Sequence, residues 1–476
     1  MLFYPRYIPG LAIGSYLVGD EKSGEAVVID PTRDVQPFVD YARLHGLHIR
    51  HIVETHVHAD FVCGSRELKA TLGDKPIIHC SSYGGEDWTQ PYADRHVTDG
   101  DTIEFGNLKL GFMHTPGHTP EHIMITLYDI SRSRDVPWLV FTGDFLFVGD
   151  VGRPDLLGEE AKRELAHELY NSVFDRLPGL PDITEIFPAH GAGSLCGKAL
   201  GTRWTSTVGF ERQFNRALVP APEAEWVQRL MDDMPLAPPY FLRMKQVNKE
   251  GPAILGGDWP GQQRLNTQTF HDRVQEDFLV LDTRSKEAFA AAHIPGAVNI
   301  PLADNLSTWA GWILPYDRPT LLVLDEQGDL ANATTQLLRV GFDDVQGYLE
   351  GGMDAWETSG LDVASVATMS VHDMSRRMSE VSQGSLTLVD VRTENEWNGG
   401  HIDGAIHIHA GKLGENLEQI PRDKPVAVMC GSGYRASIAS SLLRREGYDN
   451  VANVIGGMAA WKAASLPVVS GAVLTG

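Results

Sequence analysis

Through the first half of the chain, short runs of apolar and β-branched residues alternate with longer stretches of helical periodicity. Ala26 to Asp30 (Ala-Val-Val-Ile-Asp), Ile49 to Thr55 and Trp138 to Thr142 read as buried strands. Each ends in Asp or Thr, or runs straight into a glycine turn, and side chains at strand tips are where a site can assemble. Glu223 to Met234 has the pattern of an acidic helix; Pro235, Pro238 and Pro239 then break the chain. Gly251 to Gly261, rich in glycine and proline, reads as a linker.

The second half repeats itself. Leu281-Asp-Thr-Arg284 with His293-Ile-Pro-Gly-Ala297 returns 108 residues later as Val389-Asp-Val-Arg392 with His401-Ile-Asp-Gly-Ala405. Gly351-Gly-Met-Asp-Ala-Trp356 returns as Gly456-Gly-Met-Ala-Ala-Trp461. Each copy alternates strand and helix patterns, which predicts two tandem α/β domains with parallel sheets, each large enough for its own core. The expected boundaries are a first domain over 1–245, a linker over 246–263, and copies over 264–364 and 368–473.

A length of 476 residues agrees with several cores. The formal net charge of -23 argues against a nucleic-acid or anionic-membrane surface, because phosphates are repelled. It leaves room for a small anion in a locally positive pocket. The sequence holds no apolar run of about 18 residues, so no transmembrane helix is predicted. The opening residues Met1-Leu-Phe-Tyr-Pro-Arg lack a signal-peptide pattern, and the expectation is a cytoplasmic chain. The four cysteines, Cys63, Cys80, Cys196 and Cys430, show no paired spacing and are expected to be thiols, Cys63 and Cys80 structural.

The chemistry gathers at a few histidines. Thr55-His56-Val57-His58-Ala59-Asp60 follows a strand directly, and alternate residues of an extended turn share a side. Thr115-Pro-Gly-His118, Thr142-Gly-Asp144 and Pro188-Ala-His190-Gly each place a ligand type beside Gly or Pro near an apolar run. Together, and in this order, they resemble the metallo-β-lactamase superfamily over roughly residues 1 to 245, which implies an αββα sandwich. Most hydrolases of that superfamily carry a further histidine directly after the Asp and bind two zincs; Phe61 stands there in this chain. The mononuclear pattern resembles the persulfide dioxygenases. That resemblance implies His56, His118 and Asp144 as ligands of a single Fe(II) per chain, an arrangement suited to oxygen chemistry that zinc cannot do. It leaves His58, Asp60 and His190 either to orient ligands and bound water or to pack the site. Gly152-Arg153-Pro154-Asp155 and Tyr170 resemble segments near the iron of that family, with Arg153 either holding an anionic persulfide or pairing with Asp155. The other histidines of this domain, His122 among them, read as structural or solvent-facing.

Pro425-Val-Ala-Val-Met-Cys430-Gly431-Ser432-Gly433-Tyr434-Arg435-Ala carries the second motif. A cysteine that ends an apolar strand and enters a Gly-rich turn before a helix sits in a cradle of N–H donors, which favours thiolate and a negative persulfide. A tyrosine phosphatase needs a longer Cys-x5-Arg loop. The upstream landmarks resemble rhodanese, with Cys430 as sulfur carrier, Arg435 closing the loop, and residues 431–434 binding substrate. In the first copy Leu324-Asp325-Glu-Gln-Gly-Asp-Leu330 occupies the loop, with Asp325 near the cysteine position and no arginine, so that copy cannot carry sulfur and is expected to be a spacer or dimerisation module. Ala189-His190-Gly-Ala-Gly-Ser-Leu-Cys196 resembles fusions of a persulfide dioxygenase with one degenerate and one active rhodanese. Cys196 is there either a persulfide acceptor or a small buried hydrophobe.

The expected function is oxidation of a low-molecular-weight persulfide by oxygen to sulfite, with Cys430 passing sulfur onward to give thiosulfate, in a self-associating protein. Two rivals stand beside it. One is a zinc thioester hydrolase of the glyoxalase II kind; the other is a sulfur relay with only Cys430 chemistry.

Overall fold

A computed structural model describes residues 1–198, 200–232 and 234–470. The chain forms two compact units, Met1–Asp258 with Leu338–Gly341, and Trp259–Leu337 with Phe342–Gly476.

The first unit is built on two six-stranded sheets. One runs in chain order: β1 (Leu2–Ile8), β2 (Ile13–Asp20), β3 (Glu25–Ile29), β4 (His48–Val53), β5 (Ile77–Ser81) and β6 (Arg95–Val97). The other contains β7 (Thr102–Phe105), β8 (Leu108–His114), β9 (Ile123–Asp129), β10 (Leu139–Gly143), β11 (Glu185–Pro188) and β12 (Ser206–Thr207), likewise in chain order from edge to edge. The three strands read from apolar runs are β3, β4 and β10. In β3 and β10 the runs are continuous because both faces are covered, whereas β4 leaves Arg50 exposed and His51 half-buried. In β3, Val27 and Ile29 meet β9 residues Ile123, Ile125 and Leu127 between the sheets. Ala26 and Val28 face outward onto Phe38 and Val39 of the helix Gln36–Leu44. On the far side, Met124, Val140 and Ile186 lie under Leu169 of the helix Glu159–Asn171 and under Trp226 and Leu230 of the helix Glu223–Met231. The layers are therefore αββα.

The helix Tyr240–Glu250 follows the proline cluster and runs past the expected start of the linker at 246. Pro239 sits at its N-cap, where a missing N–H costs nothing, so the prolines that break the chain also start this helix. Tyr240, Phe241, Met244 and Asn248 form its buried side.

The second unit holds two five-stranded parallel sheets of one topology. The first contains β13 (Arg264–Leu265), β14 (Leu279–Asp282), β15 (Val298–Asn299), β16 (Thr320–Val323) and β17 (Val345–Leu349), in the order β13-β17-β16-β14-β15. The second repeats it with β18 (Ala367–Met369), β19 (Thr387–Asp390), β20 (Ile406–His407), β21 (Val426–Met429) and β22 (Val451–Val454). From residue 471 onward, the end of the expected second copy lies outside the described residues.

The repeated landmarks are structural ties. Arg392 forks onto Asp390 and donates to the carbonyls of Glu396 and Gly400, lacing the strand end to the next helix; Arg284 forks onto Asp282 and donates to the Ala292 carbonyl. His293 and His401 each donate from Nδ1 to the carbonyl four residues back, at 2.7 and 3.0 Å. Trp356 and Trp461 close each copy with an indole N–H on the carbonyl of Asp362 or Pro467. Each tie satisfies a buried polar group, which is why it recurs. No helix among the described residues is long and apolar enough to cross a membrane.

Candidate metal centre and sulfur-carrier loop

Four strand ends deliver the first cluster. The segment after β4 carries Thr55, His56 and His58, that after β8 carries His118, Asp144 follows β10 directly, and His190 lies just beyond β11. The pairs β3–β4 and β10–β11 are parallel, so their C-terminal ends share an edge.

His56, His118 and Asp144, all buried, bring one ligand atom each to within 4.8 Å of one another. Their tautomers follow from what lies behind them. The Thr55 hydroxyl donates to Asp30 Oδ2 at 2.8 Å. With its hydrogen committed, it accepts from His56 Nδ1 at 2.9 Å, and the lone pair of His56 is left on Nε2. His118 donates from Nδ1 to the Arg153 carbonyl at 3.0 Å, so its lone pair is also on Nε2. These nitrogens lie 3.8 and 3.4 Å from Asp144 Oδ2, a buried oxygen with no hydrogen-bond partner. Three electron-rich atoms facing one another repel unless a cation lies among them. The residues present fit a divalent metal, and two imidazoles with one carboxylate are a donor set for non-haem iron.

Asp144 is fixed from two further directions. Its Oδ1 lies 2.7 Å from His190 Nδ1, and its N–H donates to His122 Nε2 at 3.0 Å. His122 Nδ1 lies 2.9 Å from the Thr115 hydroxyl, and burial pushes the ring down to about 3, which keeps Nε2 an acceptor. Gly143 allows this approach. It has φ +53°, and a Cβ there would stand 2.3 Å from His122 Nε2.

His190 bridges two carboxylates, its Nε2 lying 2.8 Å from Asp60 Oδ2. Burial disfavours a charge there, yet Asp144 and Asp60 outweigh it and hold His190 far above the usual imidazole range. Burial alone would raise Asp144, but His190 and His118 keep it below the usual carboxylate range. His58 lies beside His56, with ring centroids 4.0 Å apart, its Nε2 3.1 Å from Asp30 Oδ1 and its ring also against Phe61. Asp60, His190 and Cys196 form a second buried group with ligand atoms within 4.8 Å. Burial raises the Cys196 thiol well above its ordinary value, and Asp144 and Asp60 raise it further.

Arg153 is committed. Its Nε and Nη2 donate to Asp155 at 2.7 and 2.8 Å, and Nη1 donates to the Leu195 carbonyl at 2.9 Å. It thus anchors the segment that carries Cys196. Tyr170 is not brought to the cluster: its hydroxyl donates to the Ala221 carbonyl at 3.0 Å, and its ring packs on Phe174 and Trp226.

In the second unit, Cys430 follows β21. The carbonyls of Cys430 and Gly431 accept from the N–H groups of Met458 and Ala459, at the start of the helix Gly457–Ala463. With those two carbonyls engaged, Gly433 donates its N–H to Cys430 Sγ at 3.1 Å. Gly433 has φ +101°, a conformation suited to glycine. Arg435 forms two hydrogen bonds to Glu396, at 2.6 and 2.7 Å; burial would raise that carboxyl, but Arg435 brings it down to about 2. Tyr434 points its hydroxyl at the Pro301 carbonyl, 2.9 Å away in the first copy, and Ser432 is exposed.

The first copy differs in register as well as in sequence. Asp282 pairs with Val323 as Asp390 pairs with Met429, so Leu324 stands opposite Cys430 and Asp325 opposite Gly431. Six residues separate β16 from the helix Leu330–Arg339, where four separate β21 from the helix Tyr434–Arg445. The longer loop leaves a cavity of about 410 Å³ lined by Arg264, Arg284, Asp325 and Glu350.

The metallo-beta-lactamase superfamily model matches residues 9–190, and the rhodanese-like domain model matches 266–359 and 371–464. The mitochondrial persulfide dioxygenase ETHE1 of Bos taurus is 35% identical over 241 residues, which cover 50% of this chain and 84% of that protein. A hydroxyacylglutathione hydrolase of Pelagibacter ubique is 32% identical over 176 residues, 37% of this chain and 65% of that protein. Among solved structures, a metallo-beta-lactamase from Staphylococcus aureus subsp. aureus COL is 37% identical, with a TM-score of 0.66, and the match covers 73% of this chain and 99% of that one.

Proposed function

From the premise that the chain belongs to the persulfide dioxygenase family of the metallo-β-lactamase superfamily and carries two rhodanese-like domains, we propose a two-step sulfur enzyme. The first step oxidises the outer sulfur of a low-molecular-weight persulfide to sulfite with oxygen, at one iron per chain held by His56, His118 and Asp144. In the second, the Cys430 thiolate takes the outer sulfur of another persulfide, releasing that carrier's thiol, and passes it to the sulfite, giving thiosulfate. The observation that carries the reading is the convergence of two unprotonated Nε2 atoms on the unpartnered Oδ2 of Asp144.

A ferrous ion in that donor set supplies electrons and open coordination positions for oxygen chemistry. The chain's own residues do the rest. Thr55 and the Arg153 carbonyl keep both imidazoles in the ligating tautomer, while His122 and His190 hold Asp144 in place. Phe61, fully buried, puts a hydrocarbon ring where the superfamily's second-metal histidine stands, and His190 is tied to Asp60 and Asp144. Cys196 lies beside Asp60 and His190. Its raised thiol pKa disfavours the thiolate that would have to attack a persulfide's outer sulfur, which supports Cys196 as a small buried side chain over a sulfur acceptor. The second step needs no oxidant: a lone pair on the sulfite sulfur attacks the outer sulfur of the Cys430 persulfide, and the broken S–S bond leaves its electron pair on the Cys430 thiolate. The four cysteines are free and buried, which suits a reducing compartment such as the cytoplasm.

The Pelagibacter relative favours one rival, thioester hydrolysis at zinc, and Phe61 speaks against its two-metal form. Product analysis tests the coupled reading. With glutathione persulfide and oxygen, the iron-loaded protein is expected to release thiosulfate, and Cys430→Ser is expected to release sulfite at a comparable oxygen uptake. Equal thiosulfate from both proteins would contradict the proposed role of Cys430.

A further inference from the structure

The first rhodanese copy has no cysteine, yet it forms one wall of the other copy's sulfur loop. Asn299, fully buried at the end of β15, donates from Nδ2 to the carbonyls of Asp282 and Arg284. Its Oδ1 accepts from Ser437 at 2.7 Å, and its N–H donates to Ser441 at 3.0 Å, so the helix that begins at Tyr434 is bolted to the first copy. Tyr434, four residues after the cysteine, reaches the Pro301 carbonyl.

Lys286, the first residue of the helix Lys286–Ala291, lies over this loop. A Cβ built on Gly433 would stand 3.4 Å from Lys286 Cε and 3.8 Å from its Cδ. Gly433 is also the residue whose N–H holds Cys430 Sγ. The lysine stem therefore rests against the glycine that grips the sulfur. Its ammonium pairs with the neighbouring Glu287 at 2.9 Å, with side-chain exposures of 31% and 69%. An exposed pair of this kind holds its partners weakly, and the ammonium can swing on its stem. The loop's own cation is not available in the same way, because both terminal nitrogens of Arg435 are bound to Glu396.

The sulfur-transfer step brings a dianionic acceptor onto an anionic persulfide in a protein of net charge -23, so a local cation matters. We propose that Lys286 of the first copy is the specificity-determining residue for anionic sulfur acceptors at Cys430, and that the degenerate copy supplies half of a composite anion site. The proposal rests on the sulfurtransferase reading for its substrate; the placement of the charge does not.

The test separates the two. Site-resolved alkylation of Cys430 in the full-length protein compares anionic iodoacetate with neutral iodoacetamide. The iodoacetate-to-iodoacetamide rate ratio is expected to fall about threefold to tenfold at low salt in Lys286→Glu, less in Lys286→Gln, and to stay near wild type in Lys286→Arg. The difference should shrink toward none near about 1 M salt. In turnover, Lys286→Gln should raise KM for sulfite with kcat held, and leave transfer to neutral β-mercaptoethanol unaltered. An unchanged ratio in Lys286→Glu at low salt overturns the proposal. A changed ratio in a protein whose Cys430 transfers no sulfur supports the placement of Lys286 and overturns the sulfurtransferase reading instead.

Discussion

Four histidines surround Asp144, and two of them, His190 and His122, hold it by hydrogen bonds. His190 takes one carboxylate oxygen, His56 and His118 face the other, and His122 accepts its backbone N–H. Removing His122 should loosen Asp144 without touching the ligand atoms themselves. His122→Ala is expected to weaken metal binding about 10-fold to 100-fold, as loss of an outer hydrogen bond to a ligand does, with the far-ultraviolet spectrum unchanged. A calorimetric metal titration measures it, and wild-type affinity would show that His122 only fills space. Gly143→Ala is the backbone counterpart. The left-handed φ and the 2.3 Å approach to His122 Nε2 should make it destabilising by at least about 1–2 kcal/mol, read from the urea midpoint. At this scale the sequence is partly legible. Motifs at the tips of apolar runs beside Gly or Pro mark the candidate ligands, and that His56, His118 and Asp144 are the three that meet is what the family resemblance implies. The work of His122 and Asp30 cannot be read, because a side chain that serves another through a hydrogen bond leaves no spacing of its own. Asp30 does end an apolar strand run, and its φ of +48° is the structural sign that the tip is special. Arg153 shows the opposite case: a motif points to it, and its guanidinium proves to be engaged within the protein.

Elements set the accuracy of everything above them. Of the strands that show best in the sequence, β3 and β10 are doubly covered, with runs uninterrupted because both faces are core, while β4 shows through Ile49, Ile52 and Val53 despite its exposed Arg50. The helix Tyr240–Glu250 is obscured by the prolines before it, which read as a break although Pro239 caps the helix. In the degenerate copy, sequence alignment on the flanking helix puts Asp325 near the cysteine position, but strand pairing puts Leu324 there, since the loop is longer. The helix-like 3-10 segment Ala410–Glu415 of the active copy gives a pH prediction. His409 at its start lies 5.2 Å, ring to ring, from Trp312 of the first copy, and burial, helped by Arg435, pushes it down to about 4. An unfolded histidine titrates near about 6.5. Between these values the unfolded chain binds more protons, so stability falls as pH is lowered through that window and is whole above it. His409→Gln should flatten that part of the stability–pH curve. An unaltered slope would mean that His409 titrates alike in both states.

For the whole molecule, composition excludes partners better than it names them: the negative charge speaks against polyanions, and the chemistry rests on a few strand tips. The internal repeat is the most legible architectural feature, because its landmarks are structural ties that any copy needs to fold, with or without a cysteine. What the repeat hides is the packing of one copy on the other, where Asn299, Tyr434 and Lys286 act across a boundary that sequence treats as a separation. The proposed function stands or falls with oxygen chemistry at His56, His118 and Asp144. The most direct measurement is oxygen uptake with glutathione persulfide by protein loaded anaerobically with ferrous iron, set beside thioester cleavage by protein loaded with zinc. Uptake is expected to rise with iron to one equivalent per chain, to be lost in Asp144→Ala, and to be accompanied by negligible thioester cleavage. Absence of uptake with iron, together with brisk thioester cleavage with zinc, would contradict the proposed function and assign the site to hydrolysis.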